Sequence, residues 1–302
     1  MIAILDAIRG TVSQTVRASL PEPQASLLLG MMIGVKDTLP SSFYEALRAT
    51  GTLHVVVVSG YNITVLINTV AKLLPFLSLK LRALVTAVLI FLFVSLVGFD
   101  PPVVRAAIMG AIALLSTVLG RQRNALRVLL ITGGIMLTFS PRLAGDLSFQ
   151  LSFLATLGLI LLAPVLDRYF PGKGLPLRED LTTTLAAQVL VWPLIAYRFS
   201  QVSLISPLVN ALSLWTIPIV TILGMATTIL AITISHLGSL IMTPTNLFLT
   251  YFVRIVERFY SLHLGFFEVS PFSMLALLFY YLILGGGIWF LYQLSQEKQR
   301  IG

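Results

Sequence analysis

FSQVSLISPLVNALSLWTIPIVTILGMATTILAITISHLGSLIMTPTNLFLTYFV, residues 199–253, contains no Asp, Glu, Lys or Arg. A helix needs roughly 20 mostly apolar residues to cross a bilayer core that is about 30 Å thick. The stretch is therefore long enough for two crossings joined by a tight turn. It predicts that this part of the chain lies in a lipid bilayer.

The rest of the chain supports the same interpretation. The whole sequence is 57% hydrophobic and 11% charged, whereas soluble domains carry about 25% charged residues. Five further runs without a charged residue are each long enough for one crossing: 53–71, 83–99, 147–166, 181–197 and 269–296. Two shorter runs, 106–120 and 128–141, require tilting or flanking arginines that reach the interface. We predict an all-α fold, a polytopic transmembrane helical bundle of about eight or nine membrane segments that include short, broken or interfacial helices.

The connections between the predicted crossings are alternately basic and acidic or neutral. The first and third connections are basic, with Lys72, Lys80, Arg82, Arg121, Arg123 and Arg127. The second connection holds Asp100 alone, and in the fourth the charges of Arg142 and Asp146 cancel. Basic connections are usually cytoplasmic. We therefore expect a multi-pass protein of the cell inner (plasma) membrane whose first span enters from the outer face.

The beginning of the chain is predicted to differ from the remainder. Residues 1–50 are expected to form amphipathic, interfacial or re-entrant helices, because 25–35 is too short to span and 38–49 is polar on one side. Residues 51–302 are expected to form the transmembrane domain. A later segment, 245–262, is predicted to lie in the interface plane.

A first polar cluster lies in GTLHVVVVSGYNI, residues 51–63, which contains His54, Ser59 and Asn62. The pair Ser59 and Gly60 favours a break in the helix. A broken helix beside a polar cavity is a common basis for a transport site. The alternative is that His54 lies at the headgroup level and Asn62 bonds a neighbouring helix.

A second cluster is DPPVVRA, residues 100–106, in which Arg105 begins a span at its outer end. The positive-inside rule gives no reason for a cation there. Its guanidinium group is suited to bidentate phosphate binding. The alternatives are an ion pair with Asp100 or Asp146, or an interaction with lipid phosphate.

A third cluster is SPRLAGDLSFQLSFLATLGL, residues 140–159. Asp146 and Gln150 share one helix face, and Ser152 lies on another. The aromatic rings between them offer bases a stacking surface, or are ordinary helix packing. Weaker candidates follow at Gln188, Trp192 and Asn210.

The predicted topology places His54, Arg105 and Asp146 near the outer ends of three spans. We expect them to converge on one outward-facing vestibule. The complete set of candidate path-lining residues is His54, Ser59, Asn62, Arg105, Asp146, Gln150, Ser152, Gln188, Trp192 and Asn210.

The order of these motifs resembles the competence domain of the ComEC family, the inner-membrane DNA channel of naturally transformable bacteria. The resemblance runs from about Ser26 to Leu214 and includes LLLGMMIG, GTLHVVVVSGYNI, DPPVVRAAIM, SPRLAGDLSFQLSFLATLGL and the region 188–210. It implies transport of single-stranded DNA into the cytosol, with residues 51–302 as the channel domain. It places His54, Arg105, Asp146 and Gln150 at the motif positions of the family.

The resemblance also implies partners beyond the lipid bilayer. Full-length members carry an oligonucleotide-binding β-barrel and a metallo-β-lactamase-like domain, which we do not recognise in this sequence. A DNA receptor, a nuclease and a cytosolic ATPase are therefore expected as separate components, and the chain is a candidate homo-oligomer. With three histidines and no cysteine, we predict no catalytic residue, no metal site and no cofactor.

Two other functions fit the same residues. One is transport of a small solute or lipid through a similar bundle, which predicts a closed site at the bilayer midplane. The other is a non-transporting membrane scaffold of the uptake machinery, which predicts a tightly packed interior without a polar passage.

Overall fold

The computed structural model describes residues 2–35, 39–56, 60–122, 124–169, 176–262 and 265–301. Its α-helices are α1 (Ile2–Ser19), α2 (Gln24–Ile33), α3 (Ser41–Ala49), α4 (Gly60–Leu73), α5 (Leu79–Val97), α6 (Pro101–Val118), α7 (Ala125–Phe139), α8 (Leu147–Leu161), α9 (Ala163–Tyr169), α10 (Pro176–Phe199), α11 (Ser206–Ser213), α12 (Thr216–Thr233), α13 (Gly238–Ile241), α14 (Thr243–Ser261) and α15 (Met274–Ile301). Short 3-10 turns lie at Leu53–Val55, Pro141–Gly145 and Ser235–Leu237, and two short strands are β1 (Gln201–Ser203) and β2 (Phe266–Glu268). The predicted all-α fold is confirmed.

Several of these helices are long and apolar enough to cross a membrane. Four qualify within the described residues: Leu79–Val97, Pro101–Val118, Leu147–Arg168 and Thr216–Thr233. A fifth crossing is available if Ser235–Ile241 and Thr243–Ser261, bent by 46° at their junction, form one broken span. Shorter apolar helices lie at Gln24–Ile33, Asn62–Leu73, Ala125–Phe139 and Met274–Ile288. The chain is thus a membrane protein that combines full spans with short and broken helices, as predicted.

The main core surrounds α2. Nine of its ten residues are buried, and Leu27, Leu28 and Leu29 are fully so. A helix whose whole surface is apolar is stable only when other parts of the protein cover it. Helices α1, α12 and α14 contact α2 in this way. The helix therefore lies inside the bundle. Whether it is interfacial or re-entrant in the membrane stays a prediction. The proposed division of the chain at residue 50 stays a prediction.

Helix α14 has the amphipathic character that the sequence indicated. Arg254, Glu257 and Arg258 are all exposed, whereas Phe252 and Val256 are buried. The three charges thus share an exposed face, as predicted. Whether this face lies in the membrane interface stays a prediction.

Helix α10 contains an internal proline, and two tyrosines of α15 support it. Pro193 lacks the N–H that would bond to the Val189 carbonyl oxygen one turn earlier. Tyr280 Oη donates to that oxygen at 3.3 Å, and Tyr281 Oη donates to the Leu190 carbonyl oxygen at 2.8 Å. A carbonyl oxygen that loses its helical hydrogen bond because of a proline needs another donor where water is absent. The tyrosines therefore couple α15 to the irregular part of α10.

We expect Tyr280→Phe to lower the free energy of unfolding by about 1 kcal/mol, because the Val189 carbonyl loses its donor. In a Pro193→Ala background the restored N–H replaces that donor, so the same substitution is expected to have almost no effect. Denaturant titration of the four variants in detergent measures the difference. Equal effects in both backgrounds would contradict this role of the hydroxyl.

The small sheet was not predicted from the sequence. β1 and β2 pair antiparallel, with Gln201 opposite Glu268 and Ser203 opposite Phe266. Each strand has three residues, too few for a period-two pattern to stand out. The pairing holds the connection between α10 and α11 in place and so determines where the first turn of α11 lies.

Candidate functional site

Arg105 lies on α6 and is held by two hydroxyl groups of α8. Its Nε donates to Ser152 Oγ at 2.7 Å, and its Nη1 donates to Thr156 Oγ1 at 2.5 Å. Ser152 and Thr156 are four residues apart and therefore present both hydroxyls to the same neighbour. Ser152 is one of the candidates predicted from the sequence and Thr156 is not, although its spacing of four residues from Ser152 could have identified it.

The surroundings of Arg105 do not neutralise its charge. Among the described residues, no carboxylate lies within ion-pair distance of the guanidinium group. The expected alternatives of an ion pair with Asp100 or Asp146 are thus not observed. Ser and Thr hydroxyls accept hydrogen bonds from the group but carry no charge. The result is a partly buried cation in a candidate membrane span.

One edge of the guanidinium group points at the start of α4. Nη2 has no hydrogen-bond partner among the described residues and would lie 3.2 Å from a Cβ at Gly60. A guanidinium N–H that has no acceptor in the protein can donate to an anion. Nη2 of Arg105, beside Gly60, is therefore placed to bind an anionic group. We call Arg105, Ser152, Thr156 and Gly60 the arginine site.

The absence of a side chain at Gly60 permits this arrangement. A Cβ there would also lie 3.0 Å from the Cβ of Ala106. The preceding residues Leu53–Val55 form a separate 3-10 turn, so residues 53–73 are not one continuous helix. The break predicted at Ser59 and Gly60 falls partly on residues 57–59, which lie outside the described residues, and stays a prediction. Ser59, a candidate path residue, lies outside the described residues.

A second polar group lies where α10, β1 and α11 meet. Gln188 Nε2 donates to Ser206 Oγ, and Asn210 follows Ser206 by one helical turn. Gln188 Oε1, Asn210 Oδ1 and Ser203 Oγ are buried and have no hydrogen-bond partner within the described chain. We call Gln188, Ser203, Ser206 and Asn210 the amide cluster. Buried polar atoms of this kind are uncommon in proteins and require an explanation.

The connection between α3 and α4 contacts both sites. Gly51 packs against Ser206, whose Cβ would lie 2.4 Å from a Cβ at position 51. The Gly51 carbonyl oxygen is 3.2 Å from Nδ1 of the exposed His54. Nine residues later, Gly60 lies against Arg105. Gly51 thus lies at the amide cluster and Gly60 at the arginine site.

Two candidate residues have local structural roles. Asp146 caps α8, because its Oδ1 accepts a hydrogen bond from the Phe149 N–H at 2.8 Å. Asn62 Nδ2 donates to the Met31 carbonyl oxygen at 2.9 Å, near the end of α2. Such terminal carbonyls lack intrahelical donors. The contact matches the alternative in which Asn62 bonds a neighbouring helix.

The remaining candidates differ in their surroundings. Gln150 Nε2 donates to the Ala144 carbonyl oxygen at 2.7 Å. Trp192 is partly buried on α10. The structure therefore brings Arg105 together with Ser152, and Gln188 together with the first turns of α11. That His54, Arg105 and Asp146 share one aqueous vestibule stays a prediction.

Comparison with known proteins gives a family for most of the chain. The family described as "Competence protein" matches residues 31–294. This match includes the arginine site, the amide cluster and helices α3 to α14.

Curated relatives match over parts of their length. An uncharacterized protein of Aquifex aeolicus (strain VF5) is 34% identical over 175 residues, which cover 58% of this chain and 40% of that protein. ComE operon protein 3 of Bacillus subtilis (strain 168) is 23% identical over 208 residues, which cover 68% of this chain and 26% of that protein. The chain therefore spans less than half the length of these relatives. No solved structure matches it.

Proposed function

The chain belongs to the competence protein family, and from this premise we propose that it forms a path for single-stranded DNA across the inner membrane during natural transformation. The strand enters from the outer face and leaves in the cytosol. In this proposal the chain itself catalyses no reaction. A DNA receptor, a nuclease and a cytosolic ATPase act with it as separate components.

The arginine site is the observation that carries this proposal. A charged side chain within a membrane span is costly and usually faces a functional path. Arg105 has no described carboxylate partner, and its Nη2 edge remains available beside the start of α4. A phosphodiester group brings the missing negative charge and accepts a hydrogen bond from Nη2.

A path for DNA must also release each phosphate. Several strong cationic contacts in series would hold a polyanion in place, since each phosphate contact adds to the affinity. One arginine held by neutral hydroxyls provides a single weak contact. The bonds to Ser152 and Thr156 orient the guanidinium group without cancelling its charge. We therefore assign Arg105 to phosphate contact and its two hydroxyl partners to positioning.

The amide cluster is assigned to the bases of the strand. Primary amides donate and accept hydrogen bonds at base edges, and Gln188 Oε1 and Asn210 Oδ1 have no partner in the described chain. Trp192 lies one turn after Gln188 on α10 and offers a ring for stacking. Segment 51–60 with His54 connects these contacts to the arginine site.

An uptake assay tests the proposal. A naturally transformable host lacking its copy of this gene receives end-labelled duplex DNA, and the label protected from external nuclease is measured. We expect the protected cytosolic strand to be absent and to return with a plasmid copy of the gene. Equal protected label in the deletion strain would contradict the proposal.

A second arm separates DNA transport from the alternative functions. The same cells receive a labelled deoxynucleoside monophosphate instead of DNA. A small-solute transporter predicts that deletion abolishes monomer uptake and leaves the uptake of the strand intact. A scaffold predicts that a variant with an inactive arginine site still restores DNA uptake in full.

A further inference from the structure

A lateral groove lies between α7, α8, α10 and α15, apart from the arginine site and the amide cluster. Its volume is about 780 Å³, within the range of pockets for small molecules. Exposed side chains of Leu130, Met274 and Leu278 line its edges. Helix α8 is a candidate membrane span, so a groove along it is accessible to lipid if the span crosses the bilayer.

One end of the groove is polar. Gln150, Tyr197 and Arg198 line it there, at the first turn of α8 and the last turn of α10. The donation from Gln150 Nε2 to the Ala144 carbonyl determines how the amide is oriented. Its Oε1 is buried and has no partner among the described residues, so it is a fixed, free acceptor.

Arg198 supplies a cation at the same end. Its side chain is exposed, and no described carboxylate lies within ion-pair distance of it. The polar end therefore offers one positive charge and one unused hydrogen-bond acceptor. A ligand that fits both carries an anionic group and, close to it, a hydroxyl or another donor.

The remainder of the groove is apolar. Phe149 and Phe153 stack with their ring centroids 4.3 Å apart, and Gly133 lies directly against the ring of Phe153. Gly134 lines the groove and has no atom within 4 Å of its Cβ position. From Leu137 to Leu129 the apolar wall on α7 is about 12 Å long at the helical rise per residue.

We propose that this groove binds an anionic glycerophospholipid whose headgroup carries hydroxyl groups. The lipid phosphate binds Arg198, a headgroup hydroxyl donates to Gln150 Oε1, and one acyl chain lies along Gly133 and Gly134 against Phe153. A single polar end and a long apolar wall match an amphiphile. A nucleic acid strand, whose charges repeat along its length, does not match them. The proposal does not depend on DNA transport.

Lipid binding to the purified full chain tests the charge at the polar end. The chain is exchanged into phosphatidylcholine vesicles with and without phosphatidylglycerol, and retained lipid is counted by native mass spectrometry. We expect phosphatidylglycerol to be retained in preference to phosphatidylcholine. Arg198→Gln is expected to reduce this preference about fivefold, the effect of one basic residue on an anionic lipid. Arg258→Gln, an exposed arginine on α14, is the control and leaves the preference unchanged.

A second pair of variants tests the apolar wall. The Cβ positions of Gly134 and Gly10 both have no atom within 4 Å. Gly134→Leu projects its side chain into the groove, whereas Gly10→Leu adds the same side chain on α1. We expect the first to abolish lipid retention and the second to leave it intact, at equal thermal stability. Retention in both variants would contradict the proposed position of the acyl chain.

Competition identifies the source of the phosphate. Soluble glycerol phosphate is expected not to displace the retained lipid, because it lacks the acyl chain. Displacement by glycerol phosphate would overturn the proposal in favour of a free phosphate site. Displacement by a single-stranded oligonucleotide would overturn it in favour of a nucleic acid site. A variant of the arginine site is expected to lose DNA uptake and to retain the lipid. This combination supports both proposals, because the two sites are separate.

Discussion

Arg105→Gln is expected to lower the uptake of protected single-stranded DNA by about 10- to 100-fold, the loss of one charge-assisted contact. The amide of glutamine reaches about as far as Nε of arginine, which bonds Ser152, but the substitution removes the charge and the forked geometry. The measurement is the protected-label assay in cells that carry the variant as their sole copy of the gene.

The stability of the same variant separates function from folding. A half-buried charge without a carboxylate partner costs free energy of solvation, so its removal should leave stability unchanged or raise it. A structural role for Arg105 would instead lower it. Thermal unfolding of the purified variant in detergent reports the sign. Loss of uptake with undiminished stability is the expected combination.

Two further variants serve as controls for Arg105. Arg105→Lys keeps the charge but loses the fork, so we expect uptake between that of the wild type and Arg105→Gln. Arg254→Gln removes an exposed arginine on α14 and is expected to leave uptake unchanged. Wild-type uptake with Arg105→Gln would refute the assignment of this residue to phosphate contact.

Gly158→Ala is expected to destabilise the bundle by about 3 kcal/mol, the upper end of the range for overpacking. Helices α8 and α10 cross at this residue, and a Cβ would lie 2.2 Å from the Ala186 carbonyl oxygen. The obstructing atom belongs to the backbone, so no side-chain rotation relieves the contact. Helices in membranes use small residues for this close approach.

Gly10→Ala is the matched control, since it is also a glycine within a helix. Its Cβ position has no atom within 4 Å, so the substitution should stabilise α1 by about 0.5–1 kcal/mol through its helix propensity. Denaturant titrations of both variants in the same detergent give the comparison. Equal stabilisation of both would show that α8 and α10 do not cross as closely as described.

Much of the fold follows from local sequence patterns. Long runs without charge predict spans because burial of a charge in hydrocarbon is costly wherever the segment lies. The spacing of charges predicted the exposed face of α14. These properties depend on residues within one helix, so no knowledge of neighbouring helices is required.

The candidate site was only partly predictable for the opposite reason. Arg105 stood out as a cation at an unexpected position, but its partners Ser152 and Thr156 lie 47 and 51 residues away. Asp146 looked equally functional in the sequence, yet its carboxylate caps its own helix. The orphaned oxygens of Gln188 and Asn210 depend on what surrounds them in space.

The sequence by itself determined that the chain is helical and lies in a membrane, because apolar length and the position of charges set the energy of insertion for each segment alone. The tertiary structure decided that α2 lies inside the bundle and that three strand residues bring Ser203 to α11. It also decided that Arg105 bonds two hydroxyls and that no carboxylate among the described residues pairs with it. Contacts between helices depend on shape and distance in space, which a linear pattern of residues does not contain.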